Sequence, residues 1–567
     1  MLSRAALTLL LALTACAPSA DDDPWAAPPI DAMAPQPITG RDLTAADLFT
    51  VGEVTADEAL TGAFRPRADR PAHAFGDRID WDADPYADEN WRFHLLALRV
   101  VDPLILGWEA TGDPRYLDRA AMIALDWVNA HPAAPARKTD PAWHDMTTGL
   151  RALRLAWLHD RWAAGEVVLA PEAVVALEGA LDQHRIALTD PGFWRLHNHT
   201  LYALHGLAAA CRARAEAPTC ARERAYAREG LLRVLRGSYA PDGGHKEHSP
   251  KYHDFVLRTL ERMVATGWYD LPEGDAATLA AASDVSPWMA DAFGLYPNIG
   301  DSERDPNRRA AEAPGAVPGC EGAGCAALLF LPETGYAVLK TALGTPDDRR
   351  ASLFLTCARH SAVHKHLDSL SFEWADHGRY LLVDGGKLHY DDDAARRHLL
   401  SRAAHNTASL EGGDGYQPPM TGGCLETATL ADGVMSAVGG ARIGRNAIHR
   451  RRLRYAVGDE LTVEDAVSGS SAWRLRWNLA PGLAATPHAG GYDVRSEDGA
   501  LIMRVRLDPA CAWSAHRGDR AAPSEGALTS EQYRQLQVIT TITGRCPART
   551  DPVVTRFALP GANGQGA

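Results

Sequence analysis

Gly300-Asp-Ser-Glu-Arg-Asp-Pro306 opens a stretch, running on through Gly324-Cys325 to about residue 328, that is crowded with glycine, proline and charge, and the sequence on its two sides obeys different rules. Upstream, from about 86 to 295, apolar residues recur at helical spacing: Trp91, Leu95, Leu98 and Val101, then Tyr116, Ala120, Ile123 and Trp127. Further helical stretches are expected near 145–163, 171–188, 198–214, 222–237 and 253–267, separated by breaks such as Thr111-Gly-Asp-Pro114. Short connections between successive helices imply antiparallel pairs. A bundle, a solenoid and a toroid all fit that pattern. Downstream, Gly335-Tyr-Ala-Val-Leu-Lys340, Ala351-Ser-Leu-Phe-Leu-Thr356, Leu370-Ser-Phe-Glu-Trp374, Tyr380-Leu-Leu-Val383 and Leu461-Thr-Val-Glu-Asp465 are short β-branched or alternating runs with turn residues between them. The expected fold is therefore α+β and multidomain, with a helical region over 41–310 and an antiparallel β-sandwich over 329–558.

At the ends the chain reads as something other than a fold. Residues 1–16 combine Arg4, the apolar run Ala5–Leu13 and small residues, the makings of a secretory signal too short to span a bilayer. Leu13-Thr-Ala-Cys16 resembles the lipobox of bacterial lipoproteins, which implies a lipid on Cys16 as the membrane attachment and an exported, periplasmic or outer-membrane-anchored protein; a plain signal peptide cut near Ala15 or Ala17 is the alternative. Residues 17–40 have the Pro/Asp/Ala composition of a flexible linker, and 559–567 that of a disordered tail.

The whole chain has 567 residues, 46% of them hydrophobic, enough for two to four domains with real cores. Its 58 basic and 72 acidic residues give a net charge of −14, which excludes a global drive towards nucleic acid or an anionic membrane. Fifteen Trp and fifteen Tyr against eleven Phe suit carbohydrate stacking and ordinary packing equally. Beyond Cys16 there are eight cysteines, an even number in an oxidising compartment, and proximity alone suggests Cys211 with Cys220 and Cys320 with Cys325. None is spaced as Cys-x-x-Cys, so neither a cysteine zinc site nor a redox motif is expected.

Four clusters carry chemistry. His197-Asn-His-Thr200 opens a helix, where amides and imidazoles favour an anion, although capping alone accounts for such residues. Asp242-Gly-Gly-His-Lys-Glu-His-Ser-Pro-Lys-Tyr-His253 packs three His, two Lys and a Tyr into twelve residues beside a helix start, with a charged loop as the bland alternative. His364-Lys-His-Leu-Asp368, if extended, sends both imidazoles to one face of a strand. Asp384 and His405 can complete a His/Asp/His metal site with His366, or be a salt-bridged acid and a core histidine.

In this order and spacing, Asn198-His199, His248-Ser-Pro-x-Tyr-His253, His364-x-His-x-Asp368, Val383-Asp-x-Gly386 and His405-Asn-Thr407 resemble the motifs of the heparinase II/III-like polysaccharide lyases over roughly residues 85–470. Lys251, His197 and Lys365 depart from the residues common there. The resemblance implies an N-terminal (α/α) toroid, a C-terminal β-sandwich and an acidic polysaccharide substrate cleaved by β-elimination: a base takes the C5 proton of a uronic acid and the bond to O4 breaks. It implies Tyr252 as principal proton-transfer residue with His364 as partner and Tyr390 as a second phenol. Asn198 and His199 would neutralise the substrate carboxylate, His248, Lys251 and Arg402 would contact substrate, and His366, Asp384 and His405 would hold a structural Zn²⁺. A phenol that acts as a base needs its pKa lowered, and Lys246, Lys251 and the histidines are the expected source of positive charge. Two other classes remain: a toroid glycoside hydrolase using carboxylates such as Glu247 and Asp254, and a surface glycan-binding protein without catalysis.

Overall fold

A computed structural model describes residues 37–45, 54–67, 69–132, 141–190, 199–312, 326–412, 416–470, 472–522 and 527–561. The signal, most of the linker, Asn198, Cys320, Cys325 and the last six residues lie outside the described residues. Packing divides the chain into two compact units, one made of the residues up to Val234 with Thr259–Asp270, the other of Leu235–Arg258 with Leu271 onward.

The first unit is helical, and the expected helices are found at Asp145–Ala163, Pro171–Thr189, His199–Ala213 and Cys220–Ser238. Local chemistry sets their ends. The helix Pro114–Ala130 starts where the Asp113 side chain caps the amide of Arg115 and Pro114 fills the first turn, and it buries Tyr116, Ala120, Ile123 and Trp127 along one stripe. One expectation fails here: the pattern Trp91 to Val101 is not a single helix. The chain leaves it after Leu96, passes through Leu98 at φ +60° and re-forms as a short turn at Arg99–Val101. Arg99 is thereby buried, with its guanidinium on His94 (2.8 Å) and Asp102 (3.5 Å), an arrangement that outweighs helical continuity.

The second unit holds the sheets. Five antiparallel strands run in the order Ala327–Leu331, Tyr336–Lys340, Ser352–Thr356, Ser371–Asp376, Arg379–Leu382. An eight-stranded antiparallel sheet contains Ile448–Ala456 and Glu460–Ser468, whose burial alternates residue by residue. A four-stranded sheet contains Ala472–Asn478 and Thr540–Pro547. All three contribute to one apolar core that includes Leu353, Trp374, Leu453, Phe557 and Trp477, which is the expected β-sandwich. The five-stranded sheet also packs Tyr336, Val338 and Phe354 against Val285, Trp288, Met289, Tyr296 and Ile299, so residues read as the end of the helical region belong by packing to the sandwich.

Among the described residues two disulfides are present, Cys357–Cys424 and Cys511–Cys546. The pairing of Cys211 with Cys220 expected from proximity is not made: both are free, buried thiols beside Glu223, whose carboxylate is held by Arg185 at 2.7 Å.

Candidate active site

The second unit brings together segments up to 138 residues apart in sequence. Ser249 opens the helix Pro250–Ala265, and its hydroxyl shares a 2.8 Å hydrogen bond with that of Ser302, which ties the helix start to the 298–305 turn. One turn further, the Tyr252 ring stacks on the imidazole of His364 at a centroid separation of 3.7 Å. The Tyr252 hydroxyl is 2.6 Å from that of Tyr390, which is exposed and which also accepts from Lys387 at 3.3 Å. Tyr252, His364 and Tyr390 thus form one cluster.

His364 is not on a strand, contrary to the extended reading of its segment. It lies in a loop at φ +52°, and the side chain of Lys365 behind it is buried against Asp368. What aims both histidines is Asp301, a residue the sequence did not single out. One carboxylate oxygen accepts from Nδ1 of His364 (3.0 Å), the other from Nε2 of His366 (3.0 Å) and from Arg396 (2.6 Å). Burial opposes ionisation of Asp301, but these donors hold its carboxyl well below the usual carboxylate range. On its other side His364 faces Glu247, whose carboxylate lies 3.5 Å from Nε2 and whose pKa burial pushes up.

The expected lowering of a phenol pKa does not occur. Burial pushes Tyr252 up to about 12, the hydrogen bond with Tyr390 opposes the rise, and Asp301, Glu303 and Glu247 add to it. The lysines expected to act on it are engaged: Lys246 donates to the Arg236 carbonyl (2.8 Å), and Lys251 pairs with Glu303 (2.7 Å) and Asp305. Two of the expected substrate contacts are likewise corrected. Arg402 is only 1% exposed, and His248, also 1% exposed, has both ring nitrogens on backbone atoms. His199 is the first residue of its helix in the first unit, its ring 6.1 Å from that of His144.

His366, Asp384 and His405 converge, each fully buried, with one potential ligand atom apiece within 4.8 Å of the others. His405 Nδ1 donates to Asp384 at 2.8 Å, and Ser371 donates to the second Asp384 oxygen at 2.9 Å. Asn406 locks the neighbourhood, with its amide on the carbonyls of Phe372 (2.9 Å) and Val383 (3.0 Å). Gly386, at φ +65°, is required because a Cβ there would come within 2.2 Å of the Asn298 amide. Nδ1 of His366 and Nε2 of His405 are buried without a hydrogen-bond partner. Two orphaned imidazole nitrogens beside a carboxylate are the donor set of a divalent, zinc-type ion, and Asp301 on the far nitrogen of His366 is the outer carboxylate such ligands have.

Two family models match the sequence: heparinase II/III N-terminus over residues 38–268 and heparinase II/III-like, C-terminal, over 325–556. The chain belongs to the heparinase II/III family. It is similar to a heparin-sulfate lyase of Bacteroides stercoris, 24% identical over 219 residues, a match that takes in 35% of this chain and 32% of that protein. Among solved structures it resembles a heparinase III (TM-score 0.67, 16% identity, 91% of this chain and 85% of the other) and a heparan sulfate lyase from Pedobacter heparinus (TM-score 0.66, 17% identity, 94% and 85%). These likenesses establish the fold, helical toroid followed by β-sandwich.

Proposed function

We propose that this protein is a polysaccharide lyase that cleaves a uronic-acid-containing glycan by β-elimination. The observation that carries the reading is the stacked Tyr252–His364 pair with Tyr390 in hydrogen-bond contact, a phenol and an imidazole able to exchange protons with one sugar. Asp301 holds the proton of His364 on Nδ1, which leaves Nε2 to accept the C5 proton. With its pKa pushed up to about 12 by burial, Tyr252 is protonated at neutral pH and is suited to give that proton to O4 as the bond breaks. Asn198 and His199 are proposed to stabilise the substrate carboxylate as charge moves onto it, a role whose loss costs about 10²–10³-fold in rate.

His366, Asp384 and His405 would hold the metal ion, which when bound would supply a cross-link between three separate turns of the chain; proton transfer rests with the chain's own phenol and imidazole. The named relatives make a heparan-type polymer the first substrate to try. The hydrolase reading is weakened because Asp254 is buried and taken up by Ser286 and by Tyr296 (2.6 Å).

The test is ultraviolet absorbance of the purified protein mixed with a panel of uronate polysaccharides. A lyase creates an absorbing C4=C5 bond, a hydrolase gives reducing ends without that band, and a binder gives neither; absence of the band on every polymer sinks the proposal. Export with a lipid on Cys16 is proposed from the sequence alone, and palmitate labelling that persists in Cys16→Ser would refute the attachment.

A further inference from the structure

His248 is bound at both ring nitrogens, and both partners are backbone atoms of one short loop. Nε2 accepts the amide N–H of His360 at 2.8 Å, and Nδ1 donates to the carbonyl of Val363 at 3.2 Å. The residue after Val363 is His364. Other ties on this loop are few and peripheral: the His360 ring contacts the Thr334 carbonyl (3.2 Å), the Ser361 hydroxyl reaches the Lys246 carbonyl at 3.5 Å, and the Val363 side chain is exposed.

The backbone converges at the same place. His248 and His364 both sit at positive φ (+64° and +52°), and Gly300, at φ +56°, lies so close that a Cβ on it would be 2.5 Å from the His248 carbonyl and 3.0 Å from that of His364. His248 precedes Tyr252 by four residues, so the segment that carries the phenol also grips the loop that carries the imidazole. Burial, reinforced by Lys365, keeps His248 neutral, and only a neutral ring offers one donor and one acceptor.

We propose that His248 is a positioning residue, whose imidazole splints the His360–Val363 loop at two points and thereby sets His364 against Tyr252. This rests on the reading of Tyr252 and His364 as the proton-transfer pair. It assigns His248 a task distinct from substrate contact: it acts through His364.

Two variants of the full chain test it. His248→Met fills the space and removes both polar atoms, whereas His248→Gln keeps a donor and an acceptor flanking one carbon, as the imidazole does. The expected result is a kcat about 10²-fold lower in the methionine variant with KM within about twofold, because misplacement rather than binding is affected. The glutamine variant is expected to recover kcat to within about tenfold of wild type. Hydrogen exchange of the His360 amide, read on the peptide spanning the loop, should be at least about tenfold faster in the methionine variant and close to wild type in the glutamine one.

Equal exchange in all three proteins overturns the proposal, as does a glutamine variant that loses as much as the methionine one. If the methionine variant does not fold, the glutamine variant decides alone, and loss of both loop protection and rate in it overturns the splint. A wild type inactive on every uronate polymer sinks the lyase reading, and the exchange measurement still decides what His248 does.

Discussion

Nδ1 of His364 lies 3.0 Å from a carboxylate oxygen of Asp301, and the other oxygen of that carboxylate is taken by His366 and Arg396. The proton of His364 therefore has a fixed place, and the ring has a fixed direction. Asp301→Asn keeps the shape of the side chain but presents an amide whose NH₂ cannot accept from a ring N–H. The expected outcome is a fall of about 10²–10³-fold in kcat with a smaller change in KM, measured by initial rates of ultraviolet absorbance. A variant with unchanged kcat would show that His364 needs no such partner.

Tyr252→Phe tests the phenol directly. The ring stack on His364 can survive the change, since only the hydroxyl that meets Tyr390 is lost. Turnover is expected to drop by about 10²–10⁴-fold while polysaccharide affinity, read by calorimetry or gel retardation, stays near that of wild type. Full activity in this variant removes Tyr252 from the reaction.

Much of this architecture was legible in one dimension. The strands at Tyr336–Lys340, Ser352–Thr356 and Glu460–Ser468 and the helices at Asp145–Ala163 and Pro171–Thr189 stand where periodicity put them, because each buries a regular face. The motif residues Tyr252, His364, His366, Asp384 and His405 stood out in the sequence, and the structure brings the first two together and the last three together. Asp301 did not, since it lies among the acidic residues of a boundary stretch and only its long-range contacts distinguish it from Glu303 and Asp305. For the same reason the engagement of Lys251 by Glu303 and the burial of Arg402 could not be read: a sequence displays charges but not what surrounds them. Proximity misjudged Cys211 and Cys220, and the two disulfides among the described residues instead join strand neighbours 67 and 35 residues apart.

The buried trio His366, Asp384 and His405 predicts metal in the purified protein. Elemental analysis of wild type is expected to find about one divalent ion per chain, with zinc the best match to the donors. His366→Ala and Asp384→Asn should each lose most of it, and a chelator should lower the melting midpoint of wild type more than that of either variant. Equal metal in wild type and both variants would remove these residues as ligands.

Lys340 gives the pH prediction that is independent of the site. Its side chain is buried against Trp288 and donates to the carbonyls of Pro287 (2.7 Å) and Ala290 (3.0 Å); burial, only partly offset by Asp291, lowers its pKa from 10.5 to about 8. Because the folded-state pKa lies below the unfolded one, the folded protein binds fewer protons between about pH 8 and 10.5, and stability contributed by this group rises with pH across that window. Below about pH 8 the lysine is charged in both states and the full cost of burying it is borne, on the order of 3 kcal/mol from the size of the shift. Lys340→Met removes the titration and fills the space. Thermal unfolding at pH 7 and pH 10 should therefore show the variant gaining on wild type at pH 7 and losing that advantage at pH 10, while other titrating groups cancel in the comparison. A stability difference between the two proteins that does not change with pH would mean that Lys340 keeps its ordinary pKa in the fold.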